Sequence, residues 1–391
     1  MITREASKKL RQLSAGFPAV SVTGPRQSGK TTLVRAVFPE KPYVLLEDPD
    51  TRAYATEDPR SFLKQFKETG AIIDEAQRVP ELFSYLQGIL DSSSEPGRFV
   101  ISGSQNFMLS ENISQSLAGR VGILKLLPLS ITELKGANIG FETYEEYLYT
   151  GFFPRIYSSE IEVSDFYSSY VQTYLERDLR QIKQIKDLSV FQDFLKMCAN
   201  RNGQVVNITS LANDCGVSDK TVKEWVSLLQ ASFIIFLTRA HHKNFNKRLT
   251  KMPKLYFTDP GLAAYLAGIQ NPEQIQYHPM KGGLFESLVI GEFLKYRFNK
   301  ARESNLYYWR DKAGHEIDCI IDTGPEGPVP VEIKSGRTVN EEFFKNITYW
   351  NNLSGNTPER SFVVYGGDNS QKRKTGRVIS YNNLNPLMEY L

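Results

Sequence analysis

Gly24-Pro25-Arg26-Gln27-Ser28-Gly29-Lys30-Thr31, followed by Thr32, fits G-x-x-x-x-G-K-[ST], a pattern suited to holding a polyphosphate. An apolar strand-like run, residues 19–23, precedes it and a helical run, residues 30–38, follows. Glycines let backbone N–H groups curl around a β-phosphate, and the helix start adds a favourable field. Lys30 is positioned to reach the β- and γ-phosphates, and Thr31 to ligate Mg²⁺. Ala71-Ile72-Ile73 then leads into Asp74-Glu75, 43 residues after Thr31. An Asp at a strand end can hold Mg²⁺ through water, and the adjacent Glu75 can polarise an attacking water. That pairing suits hydrolysis and has no use in a simple kinase.

A third strand-like stretch, residues 98–109, has apolar residues leading into Ser102, Ser104, Gln105 and Asn106. A polar tip here, with Ser104 the chosen candidate, can sense a γ-phosphate or be an ordinary serine-rich turn. Arg120 follows a short helix and precedes another strand. It is read either as a finger reaching a neighbouring subunit's nucleotide or as a plain ion-pairing arginine.

A second set of residues lies near the C-terminus. Residues 282–298 read as a helix presenting Glu286. Residues 306–321 read as a hairpin with Asp318 in its second strand. Val-Pro-Val-Glu-Ile-Lys, residues 329–334, puts Glu332 and Lys334 on one strand face by alternation. Asp318 and Glu332 would share a Mg²⁺, a hard cation that takes oxygen ligands. Lys334 would position or deprotonate a water, with Glu286 assisting the metal. A solvated strand face is the alternative reading of Glu332 and Lys334. His315 is expected to be a turn residue.

With these stretches in view, residues 17–135 resemble the AAA+ ATPase superfamily. The carriers are "GPRQSGKTT", "IIDEAQ" and "SLAGR…LPLS". "GGLFESLVIGEF" and "YYWRDKAGHEIDCII…VEIKSG" resemble the C-terminal domain of unknown function (DUF4143) found with such ATPases in prokaryotes. The order Glu, Asp, Glu-x-Lys resembles the PD-(D/E)xK restriction-endonuclease-like fold. The resemblance implies an ATPase using ATP and Mg²⁺, and a homo-oligomer, a ring or partial ring with the hexamer as one form, with Arg120 acting in trans. No N/T-K-x-D guanine-reading motif is present, which favours ATP over GTP. "YLERDLRQI" also belongs to the resemblance, with Arg177 and Arg180 read as lid residues or as helix-face ion pairs.

The elements between these sites are also legible. Residues 141–200 are apolar at helical spacing. Residues 205–231 follow helix-turn-helix grammar: Gly216 turns, Ser218 caps, and a second helix carries Lys220 and Lys223. Two strand-like runs, 233–240 and 254–259, flank a segment in which Arg239 to Lys254 contains six Lys/Arg and no acid. This reads as a winged helix whose basic wing, with Lys243, Lys247, Arg248 and Lys251, contacts a DNA backbone, Lys220 and Lys223 adding to it. Winged helices also serve as protein-packing modules, and these lysines can be plain solvated charges.

The expected architecture is therefore α/β throughout. An ATPase core spans 1–140, a helical lid or linker 141–200, a winged helix-turn-helix 201–258, and a nuclease-like α/β domain 259–391. At 391 residues two or three domains are expected. The net charge of only +3 means that any nucleic-acid surface must be local. No run of about 18 apolar residues exists, so no membrane span is expected. The N-terminus lacks a secretory h-region and reads as a cationic amphipathic helix. Three cysteines without C-x-x-C spacing argue against zinc or disulfides, and for a cytoplasmic location. A DNA-directed ATPase is the leading reading. A nucleotide-operated switch or scaffold that binds a protein partner is the alternative.

Overall fold

The computed structural model describes residues 2–92, 95–103, 117–175, 187–241 and 252–391. Two sheets organise them. The first contains β1 (Ala19–Thr23), β2 (Tyr43–Leu45), β3 (Ala71–Asp74), β4 (Phe99–Gly103) and β5 (Val121–Lys125), in the order β2-β3-β4-β1-β5. Every pairing is parallel. β1, β3 and β4 are buried along their whole length, which explains why they read as unbroken apolar runs. Successive side chains go to opposite faces. Val20, Val22, Ile72 and Val100 pack with Leu33 and Val34 of the helix Lys30–Val37. Ala19, Ile73, Phe99 and Ile101 pack with Leu82, Phe83 and Leu86 on the other face. The parallel register brings Thr23, Asp74 and Ser102 to one edge of the sheet.

The expected helical stretch contains Tyr144–Thr150, Pro154–Ser158, Val163–Tyr170 and Leu188–Asn200. Thr143 begins the first with a reciprocal capping box to Glu146. The helices Ile208–Cys215 and Asp219–Ala231 follow. Gly216 between them is left-handed at φ 66°, and Ser218 accepts from Thr221 N–H.

The second sheet joins β6 (Gln204–Val205), β7 (Ile235–Ala240) and β8 (Lys254–Phe257) to β9 (Leu306–Arg310), β10 (Glu316–Ile321), β11 (Val329–Lys334), β12 (Phe362–Tyr365), β13 (Gln371–Arg373) and β14 (Gly376–Ser380). Its order is β13-β14-β12-β11-β10-β9-β7-β8-β6. The link is a short parallel pairing of β7 with β9, Arg239 opposite Tyr307 and Ala240 opposite Tyr308. One hydrophobic cluster runs from Leu127 to Leu391 and takes in the helical stretch, the two helices around Gly216 and the sheet. The divisions expected at 200/201 and 258/259 therefore fall within a shared core. The helix Lys281–Asn299 is buried on most sides and packs on both β5 and β11, tying the two sheets together. Among the described residues no helix is long and apolar enough to cross a membrane.

Candidate functional site

The first group of residues meets at the shared edge of the parallel sheet. After β1 the chain turns at Gly24, where an added Cβ would lie 2.0 Å from the Leu126 carbonyl oxygen. Gly29 caps the following helix at φ 90°, a conformation open to glycine. Lys30 is buried and folds back over the loop, donating to the carbonyls of Gly24 (3.0 Å) and Pro25 (2.8 Å). Asp74 Oδ2 accepts from Thr31 Oγ1 at 2.7 Å and from Tyr43 Oη at 2.8 Å. Its Oδ1 accepts from Ser102 Oγ at 2.5 Å and Glu75 N–H at 3.1 Å. Glu75 sits at φ 55°, a left-handed conformation unusual for a side-chain-bearing residue, and accepts from Gln77 Nε2 at 2.5 Å.

Thr31 and Asp74 thus form an oxygen-lined corner fit for Mg²⁺. Among the described residues, the buried Ser28 Oγ and Thr23 Oγ1 have no hydrogen-bond partner, which leaves polar capacity for a ligand at the loop. A cavity of about 960 Å³ opens beside it, lined by Ile2, Arg4, Gly29, Thr32, Leu33 and Pro154 among others. Its volume and mixed apolar and polar lining suit a nucleoside. Thr32 faces this cavity; Arg26 and Gln27 complete the loop, Gln27 at φ 60°.

Burial pushes the Lys30 ammonium down to about 8, against the pull of Glu75 and Asp74. Below that pH the group is charged and can pair with phosphate; above it the neutral amine cannot. ATP affinity is therefore expected to weaken as pH rises through about 8, by up to about tenfold per unit, with proton uptake on binding. A dissociation constant that stays flat between about pH 7 and about pH 10 would contradict this.

Tyr43 and Arg4 carry no local motif, whereas Ser102 is among the polar residues read at the tip of the third strand-like stretch. Tyr43 arrives from the neighbouring strand β2, and Ser102 anchors Asp74 from the strand lying between β1 and β3. Arg4, from the N-terminal segment, donates to the Ser28 carbonyl at 2.6 Å and the Leu127 carbonyl at 2.6 Å, and ion-pairs with buried Glu133 at 3.0 Å. Arg4→Ala would leave the Glu133 carboxylate buried and unpaired. A loss of about 3–5 kcal/mol is expected in urea unfolding; a loss below about 1 kcal/mol would show that the pair does not hold the segment down.

Arg120 lies elsewhere. Its backbone pairs with Ala19 at the opposite end of β1 from the loop, roughly 17 Å of extended strand away. It ion-pairs with Asp91 and donates to the Ala118 carbonyl. It does not reach the loop of its own chain. Ser104, Gln105, Asn106, Arg177, Arg180, Lys243, Lys247, Arg248 and Lys251 lie outside the described residues. Lys220 and Lys223 are exposed on the helix Asp219–Ala231.

The second group meets on the nine-stranded sheet. A register shift between Ile317 and Ile320 bulges β10 where Asp318 projects. The pairing of Cys319 with Val331 carries Asp318 across from Glu332. Two carboxylates facing across a ladder repel each other, and Lys334 lies between them, 3.2 Å from Asp318 Oδ2 and 2.5 Å from Glu332 Oε2. Asp318 Oδ2 also accepts from Ile333 N–H at 2.8 Å. Burial resists ionisation of Asp318, but Lys334, Lys254 and that N–H outweigh it and hold the carboxyl below its ordinary range. Burial, then Asp318, push Glu332 well upward. Glu286, from the helix Lys281–Asn299, accepts from Tyr256 Oη at 2.8 Å, and burial raises it to about 7.

Lys254, the first residue of β8, also enters this group. It lies 3.3 Å from Glu286 Oε2 and 3.9 Å from Asp318 Oδ1, and it ion-pairs with Glu316. Among the described residues no three acidic, imidazole or thiolate groups converge as a ready metal cage. Asp318 and Glu332 still offer two oxygen donors of the kind Mg²⁺ takes alongside waters. His315 stacks on Tyr349 and pairs with Asp311 at the hairpin turn, away from these carboxylates.

Comparison with known proteins gives three matched families. Residues 16–135 match an AAA domain, residues 141–273 a domain of unknown function (DUF8612), and residues 281–384 a domain of unknown function (DUF4143). The uncharacterized proteins Rv2008c of Mycobacterium tuberculosis and Mb2031c of Mycobacterium bovis are each 30% identical over 338 residues. The match covers 86% of this chain and 74% of theirs. Among solved structures, the Walker-type ATPase paby2304 of Pyrococcus abyssi superposes with a TM-score of 0.44 at 16% identity, over 68% of this chain and 96% of that one.

Proposed function

This chain belongs to the family that includes the mycobacterial proteins Rv2008c and Mb2031c and carries an AAA domain, and from that premise we propose that it hydrolyses ATP to control a grip on DNA. The observation that carries the reading is the convergence of Lys30, Thr31, Asp74 and Glu75 on one sheet edge. Bound Mg²⁺ would neutralise phosphate charge, with Thr31 and Asp74 holding it. Glu75 accepts the proton of the attacking water, and Gln77 orients its carboxylate. Lys30 leaves the loop carbonyls for the β- and γ-phosphates. Arg120 faces away from its own site, so its use as a finger belongs to an oligomer.

The DNA-facing half of the proposal rests on the helix pair around Gly216, on exposed Lys220 and Lys223, and on the basic run that follows β7. The order of these elements, with β7 and β8 antiparallel after the second helix, supports the winged-helix reading. Replacing Lys243, Lys247, Arg248 and Lys251 with Ala is expected to weaken DNA binding. The slope of log affinity against log salt should flatten by up to about 3.6 for four phosphate contacts. An unchanged slope would remove this segment from the interface.

Asp318, Glu332, Lys334 and Glu286 support a phosphodiester-directed site of the PD-(D/E)xK kind. Asp318 and Glu332 would hold Mg²⁺, and Lys334 would position the attacking water. The test is labelled linear, branched and single-stranded DNA, with Mg²⁺ or Mn²⁺ and with or without ATP, beside the double variant Asp318→Ala, Lys334→Ala. Cleavage lost in the variant supports an ATP-regulated nuclease. Tight binding without cleavage leaves a clamp. Neither binding nor cleavage favours the protein-partner switch, a reading that the small net charge of +3 also suits.

A further inference from the structure

The carboxylate group on the second sheet already holds a cation supplied by the chain. Lys254 is nearly fully buried, with 3% of its side chain exposed, and its ammonium lies among Glu286, Glu316 and Asp318. It comes from β8, three strands from β10, so no local motif places it there. Asp318 is held on both oxygens. Oδ1 faces Lys254, and Oδ2 faces Lys334 and the Ile333 N–H. Glu332 differs: it is fully buried, and among the described residues its Oε1 has no hydrogen-bond partner.

The group is also rich in acids. Four carboxylates, Glu286, Glu316, Asp318 and Glu332, share one buried lysine, Lys254, and the partly exposed Lys334, with half-exposed Arg310 at the rim beside Glu316. Such an interior favours added positive charge. A divalent ion on Asp318 Oδ1, at a metal–oxygen distance of about 2.1 Å, would sit within about 6 Å of the Lys254 ammonium. Both are cations in a low-dielectric setting, so they repel strongly.

We propose that Lys254 is a tethered cation that occupies the carboxylate site in competition with a divalent metal ion, which must displace the ammonium to bind Asp318 and Glu332. This rests on the reading of those two carboxylates as metal donors. Lys334 stays in place under both occupancies, because its contacts are to Asp318 Oδ2 and Glu332 Oε2. The site therefore differs from an open metal site in having an internal occupant. The ligand class is a hard divalent cation, and the competing ligand is a primary ammonium of the same chain.

The test uses the full chain without nucleotide and Mn²⁺ as the probe, followed by its paramagnetic resonance. Binding that disappears in Asp318→Asn defines the site. In Lys254→Met the Asp318-dependent dissociation constant is expected to fall at least roughly tenfold. Equal constants in wild type and Lys254→Met would overturn the proposal while leaving the metal reading intact. Absence of Asp318-dependent binding in both would overturn the metal reading and the proposal with it. Should Lys254→Met not fold, the wild-type protein decides. Amine labelling read by peptide mass spectrometry should find Lys254 protected without Mn²⁺ and reactive at saturating Mn²⁺. Labelling that does not change with Mn²⁺ overturns the proposal.

Discussion

Glu75→Gln is expected to keep ATP bound and to slow its turnover by roughly 10²–10⁴-fold, the range for loss of a general base. The substitution preserves size and leaves the contacts of Asp74 in place: Thr31, Tyr43 and Ser102 on its oxygens. What changes is the ability of residue 75 to take a proton. Its left-handed backbone reinforces the argument, because a strained position next to the buried Asp74 carboxylate is where function outweighs local preference. Affinity measured with a fluorescent ATP analogue should stay within about twofold of wild type, a difference well under 1 kcal/mol. Phosphate release measured in parallel should fall to the stated level. Normal turnover in this variant would assign the water-polarising role to another residue.

Lys30→Ala should act one step earlier. The buried ammonium donates to the Gly24 and Pro25 carbonyls, and no other described lysine does. In the proposed reading, removing it takes away the charge that meets the β- and γ-phosphates. ATP affinity and turnover should both fall, turnover by at least roughly 10²-fold, as for loss of one preorganised transition-state contact. The fold should survive. Lys30 contributes little to stability in the absence of phosphate, because burial disfavours its charged form. A melting temperature close to wild type, with ATP binding lost, is the expected pair of results. Wild-type ATP affinity would sink the assignment.

The contrast between the sites shows what a linear sequence carries. The loop from Gly24 to Thr31 and the strand ending in Asp74 were legible because phosphate chemistry is written in adjacent residues. The hairpin bearing Asp318 and the strand bearing Glu332 and Lys334 were legible from alternation and a Gly314 turn. Tyr43, Arg4 and Lys254 were not. Each reaches its partner from a distant element: Arg4 meets Glu133 across 129 residues, and Lys254 meets Glu286 across 32. A lone tyrosine, arginine or lysine has no periodicity to betray such contacts. The continuous second sheet was hidden for the same reason. Only two residue pairs join β7 to β9, and neither strand announces a parallel neighbour. Arg120 was placed correctly before a strand, but the parallel register that carries it to the far end of β1 is a property of the sheet.

The two sites are joined by a run of contacts. Arg4 links the loop at Ser28 to Glu133, and the helix Ile131–Gly136 that carries Glu133 donates Ile131 N–H to Glu292 at 3.0 Å. Glu292 lies on the helix Lys281–Asn299, which also carries Glu286. Spatial continuity is not coupling energy, so coupling has to be measured. The most direct measurement is the DNA affinity of Glu75→Gln, titrated at several salt concentrations with saturating ATP, with ADP and without nucleotide. If ATP occupancy controls a grip on DNA, affinity should change by at least roughly tenfold between ATP and ADP, on a steep salt slope. The same affinity in all three states, or no salt-dependent binding in any, would contradict that claim.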